Sequence, residues 1–399
     1  MSTDVASSGY VRSLTGLRAV AALLVVGAHA AFWTGRYTAD LAGEAFSRLE
    51  IGVPIFFALS GFLLFRPWLQ AAAGTRELPS SRTYLWHRAR RILPAYWIAV
   101  VATYVIYLFR DDAGETGLGW SGFVRNMTLT QIYGTGHLHT GLTQTWSLAV
   151  EATFYLLLPV LGWFLVVVVC RRHWHPIRLA AALVALAAIT PLWTAVTHHT
   201  DITFTARLWL PGFIAWFAGG MLLALASVTV RRCNPYGMGL AALYFLLLAC
   251  TPLAGEATIV PADATEAVTK SVLYLLFAMS LMAPLVIGDR PGPLGRLCSS
   301  PPLVWLGEIS YELFLVHLVV MEFVVDMLGY RTFQGSTVGV FVVTVAFSVP
   351  IAWALHRTLL RVVPSGPRRE RRPMAAVRRD EVVADGVPDL GAPAPSRVD

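Results

Sequence analysis

Arg18 and His29 stand eleven positions apart in the stretch TGLRAVAALLVVGAHAAFWTG, residues 15–35. On an α-helix that separation is about 16 Å of rise and close to three whole turns, so both side chains project from nearly one face. A charged or titratable group inside an apolar run is a functional-site candidate by default. Arginine is a permanent cation suited to phosphate, and neutral imidazole is a general base near neutral pH. The pair suits a phosphate-bearing donor held at one boundary and an acceptor hydroxyl deprotonated deeper in. Each residue alone has an ordinary explanation, a snorkelling arginine or a histidine bonded to a nearby carbonyl. Sharing one face is what points to chemistry.

Three further segments carry similar groups. SSRTYLWHRARRILPAYW holds His87, Arg88, Arg90 and Arg91, with Arg88 and Arg91 three apart and on one helix face. Such a pair can bind pyrophosphate or the ribose phosphate of a nucleotide carrier, and it can equally be a topological signal. QTWSLAVEATFYLLLP puts Glu151 in an apolar helix, where it is expected to be paired, protonated or facing a polar cavity, orienting His29 or binding a substrate hydroxyl. LGEISYELFLVHLVV adds Glu308, Glu312 and His317, which cannot share one narrow face of a continuous helix. No G-x-S-x-G nucleophile pattern is present, and no metal site is expected. Ser60 and Trp146 are speculative oxyanion donors. The His137–His139 pair of GHLHTG reads as a solvated loop.

These segments need a membrane to position them. The 399 residues are 56% hydrophobic and only 14% charged, against about 25% charged in soluble domains. The chain divides into about ten apolar spans near 15–34, 50–65, 92–109, 146–170, 178–196, 207–229, 236–254, 271–288, 303–328 and 337–360. The second is short for a span. With a cytoplasmic N-terminus, only Arg36, Arg48, Arg110, Arg125, Arg207, Lys270 and Arg331 of the 31 basic residues fall in external loops. That is the positive-inside bias, and it predicts both termini in the cytoplasm of a multi-pass plasma-membrane protein. The net charge of +7 is thereby accounted for by topology, and no soluble basic face for nucleic acid is visible. The expected organisation is an all-α polytopic protein: a cytoplasmic segment 1–14, a transmembrane domain 15–362 and a disordered basic tail 363–399. The four cysteines have no metal-like spacing.

Taken together, LTGLRAVAALLVVGAHA, GVPIFFALSGFLLFRPW, HRARRILPAYW, TWSLAVEATFYLLLP and EISYELFLVH resemble the acyltransferase-3 family of integral membrane proteins. The resemblance implies transfer of an acyl group, often acetyl, from cytoplasmic acyl-CoA to a hydroxyl of a glycan, lipid or metabolite. It makes His29 the catalytic candidate, with Glu151 beside it, and Arg18, Arg88 and Arg91 the donor-binding ones. It implies no permanently bound cofactor; acyl-CoA is a substrate. The chain is similar to stand-alone actinobacterial members, the trehalose monomycolate acetyltransferases in particular; a macrolide or other metabolite hydroxyl is the alternative acceptor. A proton-coupled transporter using His29, Glu151 and His317 as a relay is the rival class.

Overall fold

The computed structural model describes residues 3–110, 116–200, 202–258, 260–288 and 292–362; the expected tail 363–399 and Arg290 lie outside them. Every element among the described residues is helical. In lipid each backbone N–H and C=O must be satisfied within the protein, and an apolar helix does so residue by residue. The principal helices are α1 (Thr3–Trp33), α2 (Gly52–Ala72), α3 (Ser81–Tyr107), α4 (Trp146–Trp163), α5 (Pro176–Ala187), α6 (Ile189–His199), α7 (Ile214–Thr229), α8 (Pro235–Ala249), α9 (Ala264–Val286), α10 (Pro301–Glu308), α11 (Ser310–Met327) and α12 (Thr337–Val362).

Each of the ten expected spans corresponds to helix, with altered bounds. Seven helical stretches are long and apolar enough to cross a bilayer, and α10 with α11 forms an eighth, broken one. The count of ten is thus approximate: α7 and α8, at 16 and 15 residues, rise only about 24 Å and 22 Å against a hydrocarbon core of about 30 Å. The second span, expected to be short, runs for 21 residues in α2. α1 begins well before residue 15.

Small residues let the helices meet closely, the usual packing of membrane helices. A Cβ built at Gly61 of α2 would stand 2.1 Å from the Phe217 carbonyl oxygen, and one at Gly220 of α7 would stand 2.0 Å from that of Ala58. Backbone touches backbone there, which fastens α2 to α7. α1 meets the α10 region in the same way. Cβ atoms at Gly16 and Gly307 would fall 1.8 Å from Cys298 O and 1.9 Å from Thr15 O.

The ninth span departs most from its expected form. It bends by 72° at Ile309, between α10 and α11. The Ser310 hydroxyl donates to Gly307 O at 2.9 Å and so satisfies a carbonyl at the break. The bend also resolves the three ionisable groups that could not share a face. Glu308 points into a cavity, Glu312 pairs with His356 of α12 at 2.9 Å, and His317 turns toward α1.

Candidate active site

α1, α2, α3, α4, α10 and α11 enclose a cavity of about 340 Å³, near the lower end of the roughly 300–1,000 Å³ usual for small-molecule sites. Its polar wall is Arg18 from α1, Ser60 from α2, Arg88 and Arg91 from α3, Ser147, Glu151 and Tyr155 from α4, Glu308 from α10, and Ser310 and Tyr311 from α11. Phe56, Leu63 and Phe314 are among its apolar lining. Arg18 and Arg88 are half-buried while Arg91 and Glu308 are exposed, so the cavity has an open mouth at the last two.

The carboxylate is tied down and the guanidiniums are not. Glu151 accepts a short hydrogen bond from the Ser60 hydroxyl, and Tyr155, one turn along α4, also bonds with it. Tyr311 anchors α11 to α3 by donating to Ile92 O at 3.0 Å. Arg18 lies near enough to Arg91, Arg88 and Glu151 to interact electrostatically with each. Among the described residues, however, none of the three arginines makes a hydrogen bond or salt bridge to the protein. Arg88 Nε and the Tyr84 hydroxyl, one turn earlier on α3, are buried donors with no partner. Buried polar groups are ordinarily satisfied, so converging unsatisfied donors mark a place for an anionic ligand.

Four of the five candidate residues therefore come together: Arg18, Arg88, Arg91 and Glu151. His29 stands apart from the cavity lining. Its Nδ1 lies 2.9 Å from Val25 O and 3.3 Å from Nε2 of His317, with ring centroids 5.1 Å apart. The expectation that Glu151 orients His29 is corrected: Glu151 bonds Ser60 and Tyr155, and the partner of His29 comes from α11. Phe314 connects the two regions, since it lines the cavity and its ring lies 5.9 Å from that of His317. Tyr155 was legible as the residue four after Glu151 on one helix face; Phe314 and Tyr311 carried no signal of their own.

Two other readings change. His139 is fully buried, its Nδ1 accepting from Gly141 N at 3.1 Å and its ring packed 4.4 Å and 4.5 Å from those of Tyr104 and Tyr107. Only His137 of that pair is at the surface, 3.2 Å from the Ser121 hydroxyl. Trp146 sits in an aromatic cluster with Phe57 and Phe213. Among the described residues no group of three or more His, Cys, Asp or Glu side chains could hold a metal ion.

A helical membrane bundle enclosing a polar cavity of this make-up agrees with the family comparison: the acyltransferase domain model of the acyltransferase-3 type matches residues 11–357, and the chain belongs to that family. It is a multi-pass membrane O-acyltransferase by class. Among its relatives, Acyltransferase MdmB of Streptomyces mycarofaciens is 29% identical over 342 residues, covering 81% of each chain. Peptidoglycan O-acetyltransferase OatA of Listeria monocytogenes is 25% identical over 344 residues, 81% of this chain and 51% of its own. Nodulation protein 10 of Rhizobium leguminosarum is 27% identical over 219 residues, 49% of this chain and 54% of its own. The chain thus spans about half the length of the last two. No solved structure matches it.

Proposed function

We propose that the protein moves a short acyl group, acetyl first among them, from cytoplasmic acyl-CoA to a hydroxyl of an envelope glycan or glycolipid. The observation that carries this reading is the set of three guanidiniums around one open-mouthed cavity that make no hydrogen bond or salt bridge among the described residues. They suit the phosphates of a donor such as acyl-CoA. On this reading Arg88 and Arg91 hold phosphate at the mouth and Arg18 holds it deeper. Glu151, fixed by Ser60 and Tyr155, offsets the mutual repulsion of the guanidiniums. The mouth faces the cytoplasm of the plasma membrane, with both termini on that side.

The acyl thioester then reaches past Phe314 to His29. His29 takes the proton of the acceptor hydroxyl as the oxygen attacks the thioester carbonyl carbon. The tetrahedral intermediate collapses, the C–S bond breaks, and the thiolate leaving group takes the proton from His29 to give free CoA thiol. No net proton is gained or lost by the protein. Acceptors to try first are trehalose monomycolate, whose mycolyl hydroxyl is the preferred reading, a peptidoglycan glycan, after the name of OatA, and a macrolide.

The test is thiol release from acetyl-CoA by the purified protein with each acceptor, wild type beside His29→Ala. Acceptor-dependent release, lowered about 10²–10⁴-fold in a folded His29→Ala protein, supports the reading, and mass spectrometry names the product. Equal release by both proteins removes His29 from the mechanism. No release with any acyl-CoA or acceptor returns the weight to a transporter.

A further inference from the structure

The two imidazoles are wired in one direction. His29 Nδ1 lies 2.9 Å from Val25 O, and His317 Nδ1 lies 2.8 Å from Phe314 O. A carbonyl oxygen can only accept, so in both neutral rings the hydrogen is on Nδ1. His317 Nε2 is then a bare lone pair, and it faces the Nδ1–H of His29 at 3.3 Å. The one Nδ1–H of His29 is therefore shared, with Val25 O the nearer acceptor and His317 Nε2 the second. The nitrogen left without a proton on His29 is Nε2. The histidines come from different helices, α1 and α11, and His317 is fully buried, so this contact ties the orientation of one ring to the other.

We propose that His317 is a positioning residue for His29: as the second acceptor of an Nδ1–H already held by Val25 O, it sets the orientation of the ring with Nε2 free for the acceptor proton, and it takes a stronger hydrogen bond from Nδ1–H once His29 is charged. This rests on the reading of His29 as the general base. The hydrogen bond made by one ring nitrogen decides which state the other is in, so the accepting partner governs whether a histidine can act as a base. Neither nearby carboxylate substitutes for it. Glu50 acts on His29 only at a distance and is bonded to Lys270 and Tyr274, while Glu312 is held by His356. During transfer Nε2 receives the acceptor proton and returns it to the thiolate, while the other hydrogen stays on Nδ1, shared by Val25 O and His317.

The experiment uses the full-length protein in lipid nanodiscs with ¹⁵N-labelled histidine, and the variants His317→Gln, His317→Asn and His317→Phe. A glutamine amide oxygen reaches the position of Nε2 and accepts, an asparagine reaches only that of Nδ1, and phenylalanine fills the volume without accepting. Turnover within a few-fold of wild type in His317→Gln is expected, with kcat about 10–100-fold lower in His317→Asn and His317→Phe, the scale of a lost orienting partner, and donor KM unchanged. Equal losses in all three variants, or wild-type turnover in His317→Phe, overturn the proposal. The ring-nitrogen signals that vanish in His29→Ala belong to His29. They are expected to show Nδ1 protonated and Nε2 bare in the wild type, and in His317→Phe the same form, still held by Val25 O, with the Nδ1 resonance shifted by loss of its second acceptor; an unshifted Nδ1 resonance overturns the proposal. A proton on Nε2 in the wild type overturns the proposal whatever the kinetics. If His29→Ala turns over normally, the base assignment falls, and these spectra alone decide whether His317 accepts from His29.

Discussion

Arg48 and Arg88 are both arginines of a membrane bundle, and the fold treats them in opposite ways. Arg48, 1% exposed, gives Nε to Ala249 O at 2.6 Å and Nη2 to Glu44 at 2.8 Å and to Gly255 O. Its neighbours at the end of the bundle where α1 finishes are treated alike: Lys270 pairs with Glu50, and Arg110 with Asp326 at 2.8 Å. At the cavity, Arg18, Arg88 and Arg91 point at space. A paired buried cation belongs to the architecture, whereas a cation left without a partner is there for something that arrives. Counting charges in loops hides this distinction, since Arg48 and Lys270 register there only as external positive charge.

The contrast is sharpest under substitution. Arg48→Met leaves Glu44 and two carbonyls without their donor, and breaking a buried pair from one side costs about 3–5 kcal/mol. A large fall in Tm is expected in thermal unfolding, with donor KM unmoved in whatever protein folds. An Arg48→Met protein as stable as wild type would erase the distinction. Arg88→Gln should do the reverse: donor KM rises about 10–100-fold, the worth of a charge-assisted hydrogen bond of about 1.5–3 kcal/mol, and Tm stays level or increases. A Tm loss in Arg88→Gln matching that of Arg48→Met would break the comparison. Arg91→Gln, at the exposed mouth, should raise KM by only about 1.5–5-fold. That effect should shrink as salt is raised from about 0.05 to 0.5 M, because exposed charges are screened.

The remaining effect lies outside the spans and is read in pH. Burial against Tyr104 and Tyr107 pushes His139 down to about 4 from its ordinary 6.5. The folded protein holds it neutral while the unfolded chain binds a proton below pH 6.5. Its contribution to stability is therefore complete above about pH 6.5 and declines as pH falls toward 4. Tm measured between pH 7 and pH 4.5 should fall less steeply in His139→Gln than in wild type.

The apolar spans and the arginine positions were legible because hydropathy and charge are properties of a segment by itself. Arg88 and Arg91 share a cavity as their spacing implied, and Arg18 and Glu151 join them there, whereas His29, set on one face with Arg18 by its spacing, is not among the lining residues. The break at Ile309 was not legible: LGEISYELFLVH keeps an unbroken apolar pattern, and Glu308 and Glu312 stand one turn apart as on any helix. The burial of His139 was hidden for a different reason, since the rings that cover it come from α3, more than thirty residues away. The partner of His29 is 288 residues distant, and one sequence carries no record of such a meeting. A histidine in an apolar run announces that it needs a partner without saying which.

Phe314 lines the cavity with its ring 5.9 Å from that of His317, a placement that bears on a competitor of the proposed reaction that is always present. A cavity whose mouth is formed by exposed Arg91 and Glu308 fills with water, and water is itself a hydroxyl nucleophile. On the proposed reaction, a base standing open in that volume would also activate water against the docked donor. An aromatic ring at the boundary gives water no hydrogen-bond partner, while an acyl group, apolar at its end, can slip past it. Keeping reactive groups dry prevents such side reactions. On the proposed reaction, the Phe314 ring would sort arrivals by wettability before any chemistry begins.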